Sequence, residues 1–299
     1  MASERQILSR LRAITNICRI TRTMEMMSTA KYKAYREKLS DTVDFYDALA
    51  QAAYLLISSN EPLNHPLLNE NSSGRTALLA IGSDRGLCGS FNNRVCRIVE
   101  GNISSLKERG KKVDVYATGA RLIHVLNSHN MKPAKAYTEI QEMPTDLQLD
   151  EISQYFCDEY MAGRLDFFGI VYMRFYSVTS QQAQTLTVLP LTELIDDLAT
   201  RSKVIWPWDY TIDDFFLSPS AGSAIEDLAK MIIRSAIQNC FMETVLSEHI
   251  ARMIAMRSAT ENANDMIRQL KGDYNRARQT HITAELLDII GPTGVVHDE

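Results

Sequence analysis

Apolar residues near the start of the chain recur at Ile7, Leu11, Ile14, Ile17/Cys18, Ile20/Thr21, Met24 and Met27. The steps alternate between three and four, which is the helical period. The stretch from Asp44 to Ile57 continues without a helix breaker, so the pattern predicts a helix over residues 4–57. At ~1.5 Å per residue it would span roughly 80 Å. The other end of the chain repeats the rhythm at Leu246, Ile250, Met253/Ile254, Ala259/Thr260, Ala263, Met266/Ile267, Leu270, Tyr274, Ala277, Ile282, Leu286 and Ile289/Ile290. Ser218-Pro219 offers a cap and a first-turn proline, and Gly291-Pro292 offers a stop. About 70 residues at that rise span roughly 105 Å. A compact globule of this length has a radius of gyration near ~19 Å, so neither helix fits inside one. The two stripes are most economically buried against each other. Small residues (Ala263, Ala277) and Met mix with Ile along them, which predicts an irregular pair.

Between these ends the pattern changes. Thr76–Gly82, Lys112–Gly119, Asp166–Phe175 and Gln184–Leu191 read as strands, and Asn92–Gly110, Arg121–His129 and Leu147–Ala162 as helices. This order predicts an α/β layer with a mostly parallel sheet. The fold class expected is therefore α/β: a long antiparallel coiled coil of N- and C-terminal helices with an inserted Rossmann-like α/β domain. The expected boundaries are 1–61 for the first helix, 62–218 for the globular domain, 219–291 for the second helix and 292–299 for a tail.

Proline and glycine placement agrees. Seven of the eight prolines lie between Pro62 and Pro219, and the first glycine is Gly74. The breaker-free ends are the arms, and the punctuated middle is the compact part. Charge is uneven too. Residues 1–40 hold nine Lys/Arg against three acids, on a chain of net charge −5. A basic helix on an acidic protein is either a solvated face or a surface for an acidic partner. A pI of about 5.8 speaks against nucleic acid as that partner. No run of about 18 apolar residues occurs, so no membrane-spanning helix is expected. Five scattered cysteines without a CxxC pair exclude a zinc or thioredoxin-type motif and suit a reducing compartment. Met-Ala-Ser-Glu does not open like a signal peptide, and Glu4 argues against a transit peptide. The chain is expected to stay in the cytoplasm.

Candidate chemistry is sparse. Gly82-Ser-Asp-Arg-Gly86-Leu-Cys-Gly89 follows the first strand and opens a helix, where phosphate-binding loops sit. Its GxxxGxxG spacing is not GxGxxG, and no GK[ST] follows. A tight turn that shapes a contact surface is the better reading. The six histidines are dispersed without HExxH, and no GxSxG occurs. Cys88 follows Arg85 at a helix start, where a thiol can acidify, but no base accompanies it. No catalytic, cofactor or metal site is expected. One polar stretch, Tyr274 to Thr283, crowds hydrogen-bonding side chains onto nearly three turns of helix. It is either a solvated face or a latch for carboxylates of another protein.

These residues resemble the gamma subunit of the rotary F-type ATP synthases. The resemblance rests on Ile17-Cys-Arg-Ile20-Thr-Arg-Thr-Met24-Glu-Met26-Met-Ser-Thr-Ala-Lys31 and on Ser83-Asp-Arg-Gly-Leu-Cys-Gly89. It continues in Tyr176-Ser-Val-Thr-Ser-Gln181 with Leu189-Pro-Leu191, and in Ser247-Glu-His-Ile-Ala-Arg-Met253-Ile-Ala-Met256. Ala259-Thr-Glu-Asn-Ala263, Asn275-Arg-Ala-Arg-Gln279 and Ile282-Thr283 complete it. The motifs run in order along nearly the whole chain.

The resemblance implies a central axle. Its paired helices would stand inside a ring of alpha and beta subunits, and its α/β domain against epsilon and the membrane ring of c subunits. Proton or sodium flow would turn it, and ATP chemistry would occur in beta and alpha. The resemblance implies no cofactor here, and a place on the cytoplasmic side of a bacterial membrane. It implies that Arg278, Gln279 and Thr283 engage the beta catch loop. Met24 and Arg252 would lie at a lower contact with beta, Lys31 and the basic stripe would face acidic lever segments of beta, and Cys88 would stand beside that lever. The tail after Gly291-Pro292 departs from the small apolar ending of the family, and no regulatory cysteine insert is present. A coiled-coil adaptor without a catalytic head, and a Rossmann-like enzyme with helical arms, are the competing readings.

Overall fold

A computed structural model describes residues 4–57, 65–195 and 221–290 of the chain. The elements, in order, are α1 (Glu4–Ile57), β1 (Arg75–Ile81), α2 (Phe91–Glu108), β2 (Lys112–Thr118), α3 (Ala120–Ser128), β3 (Lys135–Tyr137), α4 (Asp146–Met161), β4 (Phe167–Phe175), β5 (Gln181–Leu189) and α5 (Ala221–Ile290). Both long terminal helices are present. The expected start at Ser218-Pro219, the stop at Gly291-Pro292, the tail, and the boundaries at 61/62 and 218/219 lie outside the described residues. The chain forms two compact units, one of residues up to Thr29 and from Arg252 onward, the other Ala30–Ala251.

The larger unit is built on a five-stranded sheet of order β3-β2-β1-β4-β5. β1 pairs in parallel with β2 and β4, β2 in parallel with β3, and β5 closes the sheet antiparallel to β4. The near-continuous apolar run of β1 is what a strand covered on both faces needs. Ala77, Leu79 and Ile81 enter one core with residues of α4 and with Ala229 to Phe241 of α5. Leu78 and Ala80 enter the opposite core with Phe91, Val95, Leu122 and Leu126 of α2 and α3. α5 residues 241–250 are buried all round, which suits a helix inside a core. The three-residue β3 escapes the sequence pattern because it is shorter than the four or more residues over which alternation can be read. β5 begins at Gln181, three residues before its expected start, because its leading positions are polar.

The smaller unit is an antiparallel helix pair. Cys18 Sγ donates to Asn264 Oδ1 at 3.3 Å, Thr21 Oγ1 meets Thr260 Oγ1 at 2.8 Å, and Arg257 Nε lies 3.7 Å from Glu25 Oε1. The α1 number rises as the α5 number falls, which fixes the antiparallel sense. Ile7, Thr21, Ser28, Met256, Thr260 and Ala263 are buried along this seam. The α1 stripe read from sequence divides in two. Cys18 and Thr21 face the pair, while Ile17, Ile20, Met26 and Met27 stay exposed.

Candidate partner-binding surfaces

The turn after β1 shows why its glycines are present. A Cβ on Gly82 would stand 2.3 Å from Leu122 Cβ, so α3 packs directly against the backbone there. Gly119 has φ +85, and a Cβ on it would meet Gly82 O at 2.5 Å. Arg121 N–H donates to Ser83 O (3.0 Å) and Ala120 N–H to Asp84 Oδ1 (3.1 Å). The space beside Gly82 is therefore occupied by α3, and the turn is a packing device. Asn92 completes it: its Oδ1 accepts from Ser83 N–H at 3.1 Å and its Nδ2 donates to Ser83 Oγ at 2.8 Å.

Cys88 lies within that network. It is 3% exposed, and its sulfur sits 3.6 Å from Ser83 Oγ and 3.7 Å from Asn92 Nδ2. The loop that the resemblance sets beside the lever of beta thus holds the Cys88 side chain inside. Leu87 is held at φ 64 and is 59% exposed, and Arg85 is exposed in the same turn.

Lys31 is also engaged by its own chain. Its ammonium pairs with Glu142, which lies in the loop before α4. Glu142 accepts as well from Tyr35 Oη at 3.2 Å, and His249 Nε2 lies 3.9 Å away. His249 stacks on Tyr35 with centroids 5.7 Å apart. Burial raises the Glu142 pKa, but Lys31, His249 and Tyr35 outweigh it and hold the carboxyl below its ordinary value. Burial and the same carboxylate push Tyr35 up to about 12, so its hydroxyl remains a donor. The resemblance implies that Lys31 faces an acidic segment of beta; within this chain its ammonium is paired with Glu142, 111 residues away, a pairing for which the sequence carries no local signal.

Met24 is half-buried and Arg252 is buried in the helical unit. Arg278, Gln279 and Thr283 are all exposed. Thr283 Oγ1 donates to Gln279 O at 2.8 Å within the helix. The paired residues of the seam have numbers adding to 281 or 282. Continued outward at ~1.5 Å per residue in each helix, that register passes the first described residue of α1, Glu4, near Arg278. Gln279 and Thr283 thus lie where α5 runs on with no described α1 residue opposite. Ile282, Leu286 and Leu287 are 43, 54 and 65% exposed on the same stretch.

Among the described residues no group of His, Cys, Asp or Glu could hold a metal ion, and no helix is long and apolar enough to cross a membrane. The fold defines a class: a mixed five-stranded α/β layer in one unit and an antiparallel pair of long helices in the other. A family model described as ATP synthase matches residues 3–294. The ATP synthase gamma chain of Rhodopirellula baltica is 34% identical over 292 residues, covering 97% of this chain and 98% of that one. That of Stenotrophomonas maltophilia is 30% identical over 297 residues, covering 99% and 100%. A chain in the cryo-EM structure of the Euglena gracilis mitochondrial ATP synthase rotor has the same fold, with TM-score 0.61 at 18% identity, covering 93% of this chain and 98% of that one. A chain of the Tetrahymena thermophila central stalk and c-ring structure matches with TM-score 0.53 at 18% identity, covering 80% and 99%. The chain belongs to the ATP synthase gamma-chain family.

Proposed function

We propose that this chain is the central-stalk rotor of an F-type ATP synthase, carrying rotation between a membrane c-ring and a catalytic alpha/beta head. The observation that carries this reading is a gamma-chain relationship over nearly the full length in a fold whose functional groups are surfaces. The chain itself is non-catalytic. It acts through differential contact: one face of the helical unit stabilises one conformation of a neighbouring subunit, and turning changes which subunit that is. The open stretch bearing Arg278, Gln279 and Thr283 supplies donors for carboxylates of the beta catch loop. Met24 and Arg252 support a second contact with beta. The α/β domain meets epsilon and the c-ring, on the cytoplasmic face of a bacterial membrane. Domain limits at 61/62 and 218/219 remain part of this proposal.

Co-expression with the alpha and beta subunits of the same genome tests it. The expected result is a soluble complex whose ATPase activity requires this chain. A folded chain that binds neither subunit would overturn the reading.

A further inference from the structure

β4 outruns its neighbour β1. The last pair between them is Ala80–Val171, while β4 continues to Phe175, paired on its other side with β5. A strand edge left this way inside a core must find other partners for its backbone groups. α5 supplies them. Met173 N–H donates to Thr244 Oγ1 and Ser247 Oγ donates to Met173 O, both at 3.3 Å. Phe175 N–H donates to Glu243 Oε2 at 2.9 Å, and Asn239 Nδ2 holds the other carboxyl oxygen at 3.1 Å. Met173 and Phe175 are two residues apart, so their N–H groups fall on the same edge of the strand. Glu243 and Ser247 are one helical turn apart with Thr244 beside them, so a single stripe of α5 makes all three contacts. Met173, Thr244 and Ser247 are fully buried.

The rest of this stretch of α5 packs through apolar side chains. Ile237, Cys240 and Phe241 enter the core beneath the sheet, and Leu246 and Ile250 pack with Tyr32 of α1. Apolar packing is non-directional, and alone it resists a small turn of the helix about its own axis only weakly. Hydrogen bonds need donor and acceptor aligned, and a buried one that is broken leaves both groups unsatisfied. The stripe therefore fixes the rotational setting of α5 against the sheet. The helix runs on without a break from Ala221 to Ile290, so a turning moment on the α/β domain reaches the far end of α5 through the stretch that this stripe holds.

We propose that Glu243, Thr244 and Ser247 form a torque joint: positioning residues that lock α5 to the free edge of β4, so that the helix turns with the α/β domain and not against it. This deepens the rotor reading, on which it rests, by naming where in the chain the torque crosses from sheet to helix. The test uses the chain assembled with alpha and beta, the head held in one state by a non-hydrolysable nucleotide and a bead fixed to the α/β domain. The variance of the bead angle measures how far the domain twists against the head. Thr244→Val with Ser247→Ala removes both bonds to Met173 and should raise that variance by roughly half or more. In the whole complex, pumping against an ion gradient should slow more than ATP hydrolysis across a leaky membrane. Thr244→Ser keeps the hydroxyl and should match the parent. A role confined to stability would lower the yield of assembled complex, or slow both activities alike, and leave the variance where it was. An unchanged variance in the double variant, or one as large in Thr244→Ser, overturns the proposal. If the double variant does not assemble, Ser247→Ala alone is read the same way, and an unchanged variance again counts against the joint. A parent chain that fails to assemble with alpha and beta sinks the rotor reading together with this one. A parent complex that rotates while the double variant keeps the parental variance sinks this one alone.

Discussion

Thr21 and Thr260 place their hydroxyl oxygens 2.8 Å apart in the buried seam of the helix pair. Thr260 Oγ1 also donates to Met256 O at 2.8 Å. Thr21 Oγ1 has a backbone acceptor as well, Cys18 O, at the longer distance of 3.1 Å, so the geometry favours Thr260 donating to Met256 and Thr21 donating to Thr260. A pair of long helices that meets through threonines, a cysteine and an Arg–Glu contact gains register from direction-dependent bonds, beside the burial of Ile7, Met256 and Ala263.

That geometry makes the two threonines energetically coupled. Thr21→Val and Thr260→Val should each destabilise the full chain by about 1 kcal/mol, the net worth of one hydrogen bond in a buried site. The double substitution should cost less than the two singles together, because two valines facing each other leave no polar group unmatched. Urea unfolding of the four chains gives the coupling directly. Costs that add within ~0.3 kcal/mol would show that the hydroxyls do not interact.

Glu142 makes stability depend on pH with a definite sign. Its carboxyl has a folded-state pKa below the ordinary 4.5, so its contribution is complete above the unfolded value. The contribution is lost as pH falls through the lower folded value. Glu142→Gln removes the charge that Lys31 and Tyr35 bind, and should cost about 1 kcal/mol at pH 7, allowing for partial exposure of the pair. The gap between variant and parent should close as pH drops from 5 to 3. A gap that stays constant or widens over that interval would mean that the carboxylate is not what ties this loop to α1.

Sequence and structure part company at particular residues. The two long helices were legible because their periodicity extends over many turns and no proline or glycine interrupts it. Which of two adjacent apolar stripes on α1 faces inward was not, because Ile17 and Cys18, or Ile20 and Thr21, fit the same period equally well. The structure turns the more polar member of each pair toward the seam, which reverses a reading based on hydrophobicity alone. The polar network of Ser83, Cys88 and Asn92 had a visible signature in its tight turn, although the turn alone does not say that the cysteine points inward. The Glu142 cluster had no signature, since its partners Lys31 and Tyr35 are more than 100 residues away.

The glycines of the Gly82–Gly89 turn should prove unequal. Gly82→Ala would press its Cβ into Leu122 at 2.3 Å, and overpacking of that kind costs about 1–3 kcal/mol or more. Gly86 has nothing within 4 Å of its would-be Cβ and no positive φ, so Gly86→Ala should lie within about 0.5 kcal/mol of the parent. Thermal unfolding of both variants separates a packing requirement at one position from a loop motif that needs all its glycines. Equal losses at Gly82 and Gly86 would restore the motif reading.

Arg278 and Gln279 lie on the open stretch of α5, where neither side chain packs into the core of its own unit. Replacing both with alanine removes donors without opening a cavity, and alanine is the best helix former. The isolated chain should therefore unfold within about 0.5 kcal/mol of the parent. If those donors bind carboxylates of a neighbouring subunit, the assembled complex should respond differently. Each lost charge-assisted hydrogen bond is worth about 1.5–3 kcal/mol, so assembly or ATP-driven ion pumping should fall by roughly tenfold or more. The two measurements must be read together. A destabilised isolated chain would place these residues in the fold. A stable chain whose complex pumps at the parental rate would show that the open end of α5 is a solvated surface and that the latch lies elsewhere on the helix.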